Sequence, residues 1–249
     1  MPAEHGALCL LGEAVLLGLL VAPSRAGLGV AVAATGGFLL RQPLTIAWAD
    51  RLRGRRLPRT PVAEGLVVAY GATALLGLSL ASSGARGFWL PLAAAVPIGL
   101  VQLHHDVNRR GRHALPELLA PVALAAVAAA ELRASGSPFP VALCASALLA
   151  AKGVTAVLYV RARLKQDRGR GGSPGLALAS HVVALLAALG LAALGCAPWT
   201  ATLGFLMLLV RGAMGLSPWA PRLRPRDLGL RELAYGATLV ALLVIGYRV

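Results

Sequence analysis

Charged residues are scarce in this sequence, and aromatic residues are scarcer still. Asp, Glu, Lys and Arg make up 14% of the 249 residues, against about 25% in an average soluble domain, which argues against a soluble protein. Aromatic residues make up only 5%, so the net charge of +14 lacks the stacking platforms of a nucleic-acid surface. The surplus of Arg is interpreted as the basic loops of a membrane protein, and no nucleic-acid partner is expected.

Clusters of metal ligands and catalytic motifs are also missing. The ten acidic residues are scattered, no two closer than five positions apart, whereas Mg²⁺ held against a diphosphate needs several carboxylate oxygens together. The three cysteines (Cys9, Cys144 and Cys196) form no CxxC pair. No P-loop or HExxH motif occurs. The sequence therefore predicts no metal and no cofactor, and it favours a protein that is not an enzyme.

What the chain has in abundance is apolar sequence, divided into nine segments. They cover about residues 7–22, 27–48, 62–82, 87–103, 116–134, 138–160, 175–194, 197–214 and 229–247. Several are near the short end of the length that crosses about 30 Å of hydrocarbon. We expect an all-α, polytopic transmembrane bundle of about nine helices that forms a single integral membrane domain over residues 1–249.

Positive charge alternates between the connections of this bundle. Counted together with those just inside the segment ends, such as Arg133, Arg211 and Arg231, Lys and Arg number 18 in the connections after the second, fourth, sixth and eighth segments and three in the other four. Because cytoplasmic loops of membrane proteins are enriched in Lys and Arg, the N-terminus is predicted inside and the C-terminus outside. The predicted location is the cytoplasmic (inner) membrane.

Four titratable residues lie inside the apolar segments at a shared depth. At a rise of about 1.5 Å per residue, they lie about 9 to 12 Å from the predicted cytoplasmic ends of their segments. Charge inside a membrane span is costly and marks a candidate site. The candidate ligand-binding residues are these four, Glu13, Arg41, Lys152 and His181, with Gln42 beside Arg41, and with His5 and Arg161 nearer the surface. Cations outnumber acids among the four, so an anionic ligand or head is expected.

A purely structural interpretation of the same residues stays open. Glu13 and Arg41 would neutralise each other as a buried pair. Lys152 would extend its ammonium toward the surface, and His181 would hydrogen-bond a backbone carbonyl. The sequence does not decide between this arrangement and a ligand cavity.

Three stretches carry a resemblance to a known family. PAEHGALCLLGEAVLLGLL with its EHGA element, FLLRQPL in the second segment and YVRARLK after the sixth resemble the YwiC-like family, over residues 2 to about 170. That family consists of integral membrane proteins without an assigned activity. The resemblance therefore implies a multi-pass membrane protein and no particular reaction.

The wider layout resembles the UbiA-type aromatic prenyltransferases. This resemblance implies nine helices, an internal N-terminus and a central cavity open to the cytoplasm. Active members hold magnesium with an NDxxD motif after helix 2 and a DxxxD-like motif after helix 6. The corresponding zones here, RQPLTIAWADRL and YVRARLKQDRGR, contain neither motif. Arg41 stands in the first zone and Arg161 and Lys165 in the second, which implies direct contact between cations and an anion in place of magnesium.

Several function classes remain open. The favoured one is binding of an anionic amphipathic molecule, isoprenoid- or lipid-like, in a cytoplasm-facing cavity, with Arg41 and Lys152 on its head. An alternative is a transporter or proton-coupled carrier with a relay of Glu13, Lys152 and His181, although no inverted repeat or matching polar layer in the outer half supports it. A further alternative is a divergent, non-metal prenyltransferase-like enzyme with Glu13 and His181 as its acid–base pair. An assembly factor acting through basic loops would leave no motif, and the sequence identifies no protein partner.

Overall fold

The computed structural model describes residues 3–85, 87–108, 113–169 and 173–249, with the backbone alone for residues 3–5. Within those residues the chain forms nine α-helices and no strand. The helices are α1 (Ala3–Val21), α2 (Arg25–Leu52), α3 (Arg59–Ala81), α4 (Trp89–Val107), α5 (Ala114–Ala134), α6 (Phe139–Asp167), α7 (Pro174–Ala193), α8 (Trp199–Gly215) and α9 (Pro225–Arg248). Each helix corresponds to one predicted apolar segment, with bounds that differ by a few residues. The predicted all-helical fold class is therefore confirmed.

The helices have the length and composition of membrane spans. Six of them (α2, α3, α5, α6, α7 and α9) are long and apolar enough to cross a membrane, and α1 and α8 contain shorter apolar stretches, Gly6–Val21 and Trp199–Gly215. In α4 the polar run Gln102, His104, His105 and Asp106 interrupts the apolar sequence near its end. Large apolar side chains such as Val68, Leu75 and Val183 are exposed on the outer faces, where acyl chains rather than water would cover them. The chain is a multi-pass membrane protein.

Most consecutive helices pack against each other, and the first helix closes the bundle. The main contacts join α2 to α3, α4 to α5, α5 to α6, α6 to α7, α7 to α8 and α8 to α9, while α1 packs against α5 and α9. α1 therefore brings the start of the chain next to its end. This closure forms the α1–α9 seam, which has α6 behind it.

The even-numbered helices end at the same end of the bundle. The residues after α2 approach the end of α4, since Arg53 and Arg55 line one cleft with Val107 and Asn108. The end of α6 reaches the α8–α9 connection, where the buried guanidinium of Arg163 donates to backbone carbonyls. We call this the basic end, because the Arg-rich connections after α2 and α8 belong to it.

Backbones touch where α2 and α3 pack. A Cβ placed on Gly29 would lie 2.5 Å from the backbone nitrogen of Ala81, and one on Gly36 would lie 2.8 Å from that of Ala74. Glycine is the residue that permits so close an approach of two helices, and small residues serve the same purpose in many membrane helix pairs. This hairpin places the Arg-rich connection after α2 firmly at the basic end.

Candidate functional site

The most deeply buried ion pair of the described chain joins the first and sixth helices. Glu13 in α1 is 5% exposed and Lys152 in α6 is 3% exposed. The Nζ atom of Lys152 donates to both carboxylate oxygens of Glu13, at 2.5 and 2.6 Å. Each charge would be strongly unfavourable alone in hydrocarbon, so the pair makes the burial of both tolerable.

A third helix covers this pair. Gly236 of α9 lies so close that an added Cβ would collide with the Glu13 carboxylate and lie 2.6 Å from the Lys152 ammonium. A larger residue at this position would displace the carboxylate from its partner. The pair is therefore the point at which α1, α6 and α9 meet.

A second ion pair lies one turn along α9. Arg211 of α8 donates from its Nη1 atom to Oε1 of Glu232 at 2.6 Å, and both side chains are largely buried. The Arg211 guanidinium also lies over the ring of Tyr159, 4.0 Å from its centroid, a cation–π contact that stabilises a poorly hydrated cation. Glu232 is four residues before Gly236, so the two pairs are neighbours on one face of α9.

His181 is buried beside Tyr159. Its Nδ1 atom bonds to the backbone carbonyl of Ala177 at 2.7 Å, and because a carbonyl only accepts, Nδ1 carries the hydrogen. The ring meets that of Tyr159 edge to face, with centroids 6.4 Å apart. The expected hydrogen bond from His181 to a backbone carbonyl is confirmed.

Arg41 has a different partner from the one that the sequence suggested. Its Nε atom donates to Oδ2 of Asp106 at 2.6 Å, and 39% of its side chain is exposed. Asp106 is the penultimate residue of α4, so Arg41 is level with the end of that helix and not deep in the bundle. The interpretation in which Glu13 pairs with Arg41 is wrong, and so is the one in which Lys152 extends to the surface.

The remaining predicted residues do not join the Glu13–Lys152 pair. Gln42 is exposed on α2. Arg161 of α6 pairs with Glu117 at the start of α5. The side chain of His5 lies outside the part of the chain that the structure describes. Of the candidate residues, the structure brings Glu13 and Lys152 into contact and places His181 beside Tyr159.

An apolar groove runs along the α1–α9 seam, and Glu13 is part of its wall. Its volume is about 390 Å³, within the range of about 300–1,000 Å³ that is typical of ligand pockets. The lining residues are Cys9, Gly12, Glu13, Leu16 and Leu20 from α1, with Leu233, Ala237, Val240, Ala241, Val244 and Ile245 from α9. Glu13 is the single ionisable carboxyl among them and lies about 6 Å from Cys9 along the helix.

The sequence analysis did not select several residues that the structure places in this region. Glu232 and Arg211 looked like surface charges because they lie near the ends of apolar segments, yet both are largely buried. Tyr159 and Gly236 carry no charge, so a search for charged residues inside apolar segments does not find them. Glu131 is fully buried in α5, where its carboxyl packs against Gly18 of α1, although it lies only three residues before the end of the fifth apolar segment.

One of three comparisons with known proteins gives a match. A family model described as YwiC-like protein matches residues 1–132, which include Glu13, Arg41 and Asp106 and exclude Lys152. No curated protein and no solved structure matches the chain. The layout of the UbiA-type prenyltransferases is not confirmed by these comparisons.

The burial of the Glu13–Lys152 pair predicts strong coupling between the two residues. Glu13→Gln or Lys152→Met alone leaves one charged group buried without its partner, and we expect each to lower the free energy of unfolding by about 3–5 kcal/mol. The double variant removes both charges and is expected to lose less than the sum of the two. Unfolding of the purified protein in detergent measures all four states.

The control is an exposed ion pair of the same chain. Arg51 and Glu64 are paired at 2.8 Å with the Arg51 side chain 72% exposed, so Arg51→Gln is expected to change stability by less than about 1 kcal/mol. Additive effects of Glu13→Gln and Lys152→Met would contradict the pairing.

Proposed function

This chain belongs to the YwiC-like family, since the matched residues 1–132 are more than half of its 249 residues, and from that premise we propose a binding function. The proposed ligand is an amphipathic molecule, isoprenoid- or lipid-like, that occupies the groove between α1 and α9. Its hydrocarbon part lies along the apolar walls. Its polar end contacts Glu13, behind which lies Lys152.

The observation that carries this proposal is the position of one carboxylate in an otherwise apolar groove. The wall beyond Glu13 consists of Leu16 and Leu20 from α1 and of Val240 and Val244 from α9, among others. These side chains suit a hydrocarbon chain that lies parallel to the helices. Glu13 lies in the part of the groove that is nearer the basic end of the bundle, four residues from Cys9. The polar group of the ligand would therefore point toward the basic end.

The charges around the groove favour an uncharged polar end over the anionic one that the sequence suggested. Lys152 is already neutralised by Glu13, and Arg41 is paired with Asp106 on other helices. An anion in the groove would have to displace Glu13 from Lys152 and leave that carboxylate buried and alone. A hydroxyl or similar donor could instead bond to Glu13 without breaking the pair.

A second candidate function rests on the two ion pairs along α9. Glu232 and Arg211 lie one turn from Glu13 and Lys152, so acids and bases alternate from α8 to α1. Buried acidic residues that lie close together are found in the proton relays of pumps and transporters. In this case proton uptake by reconstituted vesicles would depend on Glu13 and Glu232. A bulky side chain that fills the α1–α9 groove would leave the rate of proton uptake unchanged.

We also propose that the protein lies in the cytoplasmic membrane with its basic end in the cytoplasm, as the alternation of Arg between connections favours. Alkaline phosphatase fused after Val249 should then be active, because it would be exported. The same enzyme fused after Pro221, in the α8–α9 connection, should be inactive. Activity at Pro221 with inactivity at Val249 would reverse the orientation.

Groove binding predicts a specific effect of a bulky residue in the α1–α9 seam. Ala237 is exposed and lines the groove, so Ala237→Trp should fill the space beside Glu13 and exclude a hydrocarbon chain. Native mass spectrometry of protein purified in mild detergent measures the amphipathic molecules that each variant retains. We expect Ala237→Trp to lose most of what the wild type retains.

The matched control is Ala187→Trp, which adds the same side chain to an exposed position of α7 outside the groove. It should retain the wild-type complement, and unfolding measurements would verify that both variants are folded. Equal retention by the two variants would overturn the proposal.

A further inference from the structure

The connection between α2 and α3 is built on a buried carboxylate. Asp50 is 1% exposed. Its side chain accepts hydrogen bonds from Arg59 at 2.8 and 3.2 Å and from the Thr60 hydroxyl at 2.9 Å. Its backbone carbonyl accepts from the Arg55 nitrogen at 3.0 Å, and Gly54 between them has a φ of +61°. These bonds fix the tight turn that carries Arg53 and Arg55.

The five arginines of this turn divide into two groups. Arg51 and Arg56 both lie beside Glu64, at 2.8 and 3.8 Å. Arg59 is paired with Asp50 at 2.8 Å. Arg53 and Arg55 are exposed, and among the described residues neither has a hydrogen bond or ion pair from its guanidinium to a carboxylate. Within this turn, the two arginines without a paired carboxylate are therefore Arg53 and Arg55.

Those two side chains face a common space. A cleft of about 670 Å³ lies between the turn and the end of α4, and its described lining is Arg53, Arg55, Val107 and Asn108. The amide nitrogen of Asn108 donates to the carbonyl of His104 at 2.8 Å, which fixes that side chain at the end of α4. The cleft is thus bordered by two cationic groups on one side and an ordered polar residue on the other, with no described carboxylate in its lining.

We propose that this cleft binds a phosphate-bearing ligand through Arg53 and Arg55. Guanidinium groups are planar donors that match phosphate oxygens with paired hydrogen bonds. Two of them on a fixed turn lose less freedom on binding than two on a flexible loop. The phosphate could belong to the headgroup of an anionic phospholipid or to a soluble phosphorylated molecule. This site shares no residue with the α1–α9 groove. The proposal for the cleft therefore does not depend on the function proposed above.

The test compares two variants that remove the same charge from the same end of the protein. Arg53→Gln/Arg55→Gln removes the cationic lining of the cleft. Arg222→Gln/Arg224→Gln removes two exposed arginines of equal spacing from the α8–α9 connection. The full chain in uncharged detergent is titrated with inorganic pyrophosphate by calorimetry, and in parallel with phosphatidylglycerol or phosphatidylcholine by native mass spectrometry.

We expect the cleft variant to lose about tenfold or more in affinity, given the contribution of each Arg near a phosphate, and the control variant to lose less than about twofold. Pyrophosphate binding that depends on Arg53 and Arg55 would support the site and identify a soluble ligand. Selective binding of phosphatidylglycerol alone, with the same dependence, would support it and identify a lipid headgroup. Equal losses in both variants would indicate diffuse charge attraction and overturn the proposal, as would wild-type protein that binds neither probe.

Discussion

A charge inside hydrocarbon must be neutralised where it lies, and in this protein that constraint shapes the bundle. Glu13 and Lys152 come from helices far apart in the chain, yet both carboxylate oxygens of Glu13 lie within 2.6 Å of the Lys152 ammonium. Gly236 supplies the space that the pair needs against α9. α1, α6 and α9 must meet at this point, so the first and last helices become neighbours. The groove forms along the seam between these two helices.

The same constraint separates the charges of the chain into two populations. Inside the bundle, cations have acidic partners: Lys152 with Glu13 and Arg211 with Glu232. Arg163 is also fully buried, and it combines an ion pair to Asp167 with hydrogen bonds to backbone carbonyls. At the basic end the cations exceed the acids, and Arg53 and Arg55 are left for ligands or lipid headgroups. The buried cations Lys152, Arg163 and Arg211 are paired, while Arg53 and Arg55, which have no acidic partner among the described residues, lie at the surface, where water and phosphate can satisfy them.

Sequence reasoning predicts the helices well and the contacts between them poorly. The apolar segments are long and are separated by stretches rich in Arg, Gly and Pro, so each of the nine helices could be located from composition alone. Depth was harder to judge. Arg41 was assigned to the layer of Glu13 by counting residues from a segment end, but the end of a segment does not mark the end of the bundle. Arg41 bonds to Asp106 near the end of α4 and therefore lies at the level of that helix end. Partner choice depends on which helices become neighbours, and a single sequence does not contain that information for Glu13 and Lys152, 139 residues apart.

The most direct test of this account is the distance between Lys152 and Glu13 in a lipid bilayer. The chain contains two lysines, Lys152 and the exposed Lys165, so a Lys165→Arg variant labelled with ¹⁵N-lysine gives a single ammonium signal. Solid-state NMR of that variant, labelled also with ¹³C at the Glu carboxyl carbon, should give a dipolar coupling that corresponds to about 3 Å, because both carboxylate oxygens accept from the same ammonium. The coupling should disappear in Glu13→Gln. Its absence from the Lys165→Arg protein, or its persistence without Glu13, would contradict the account.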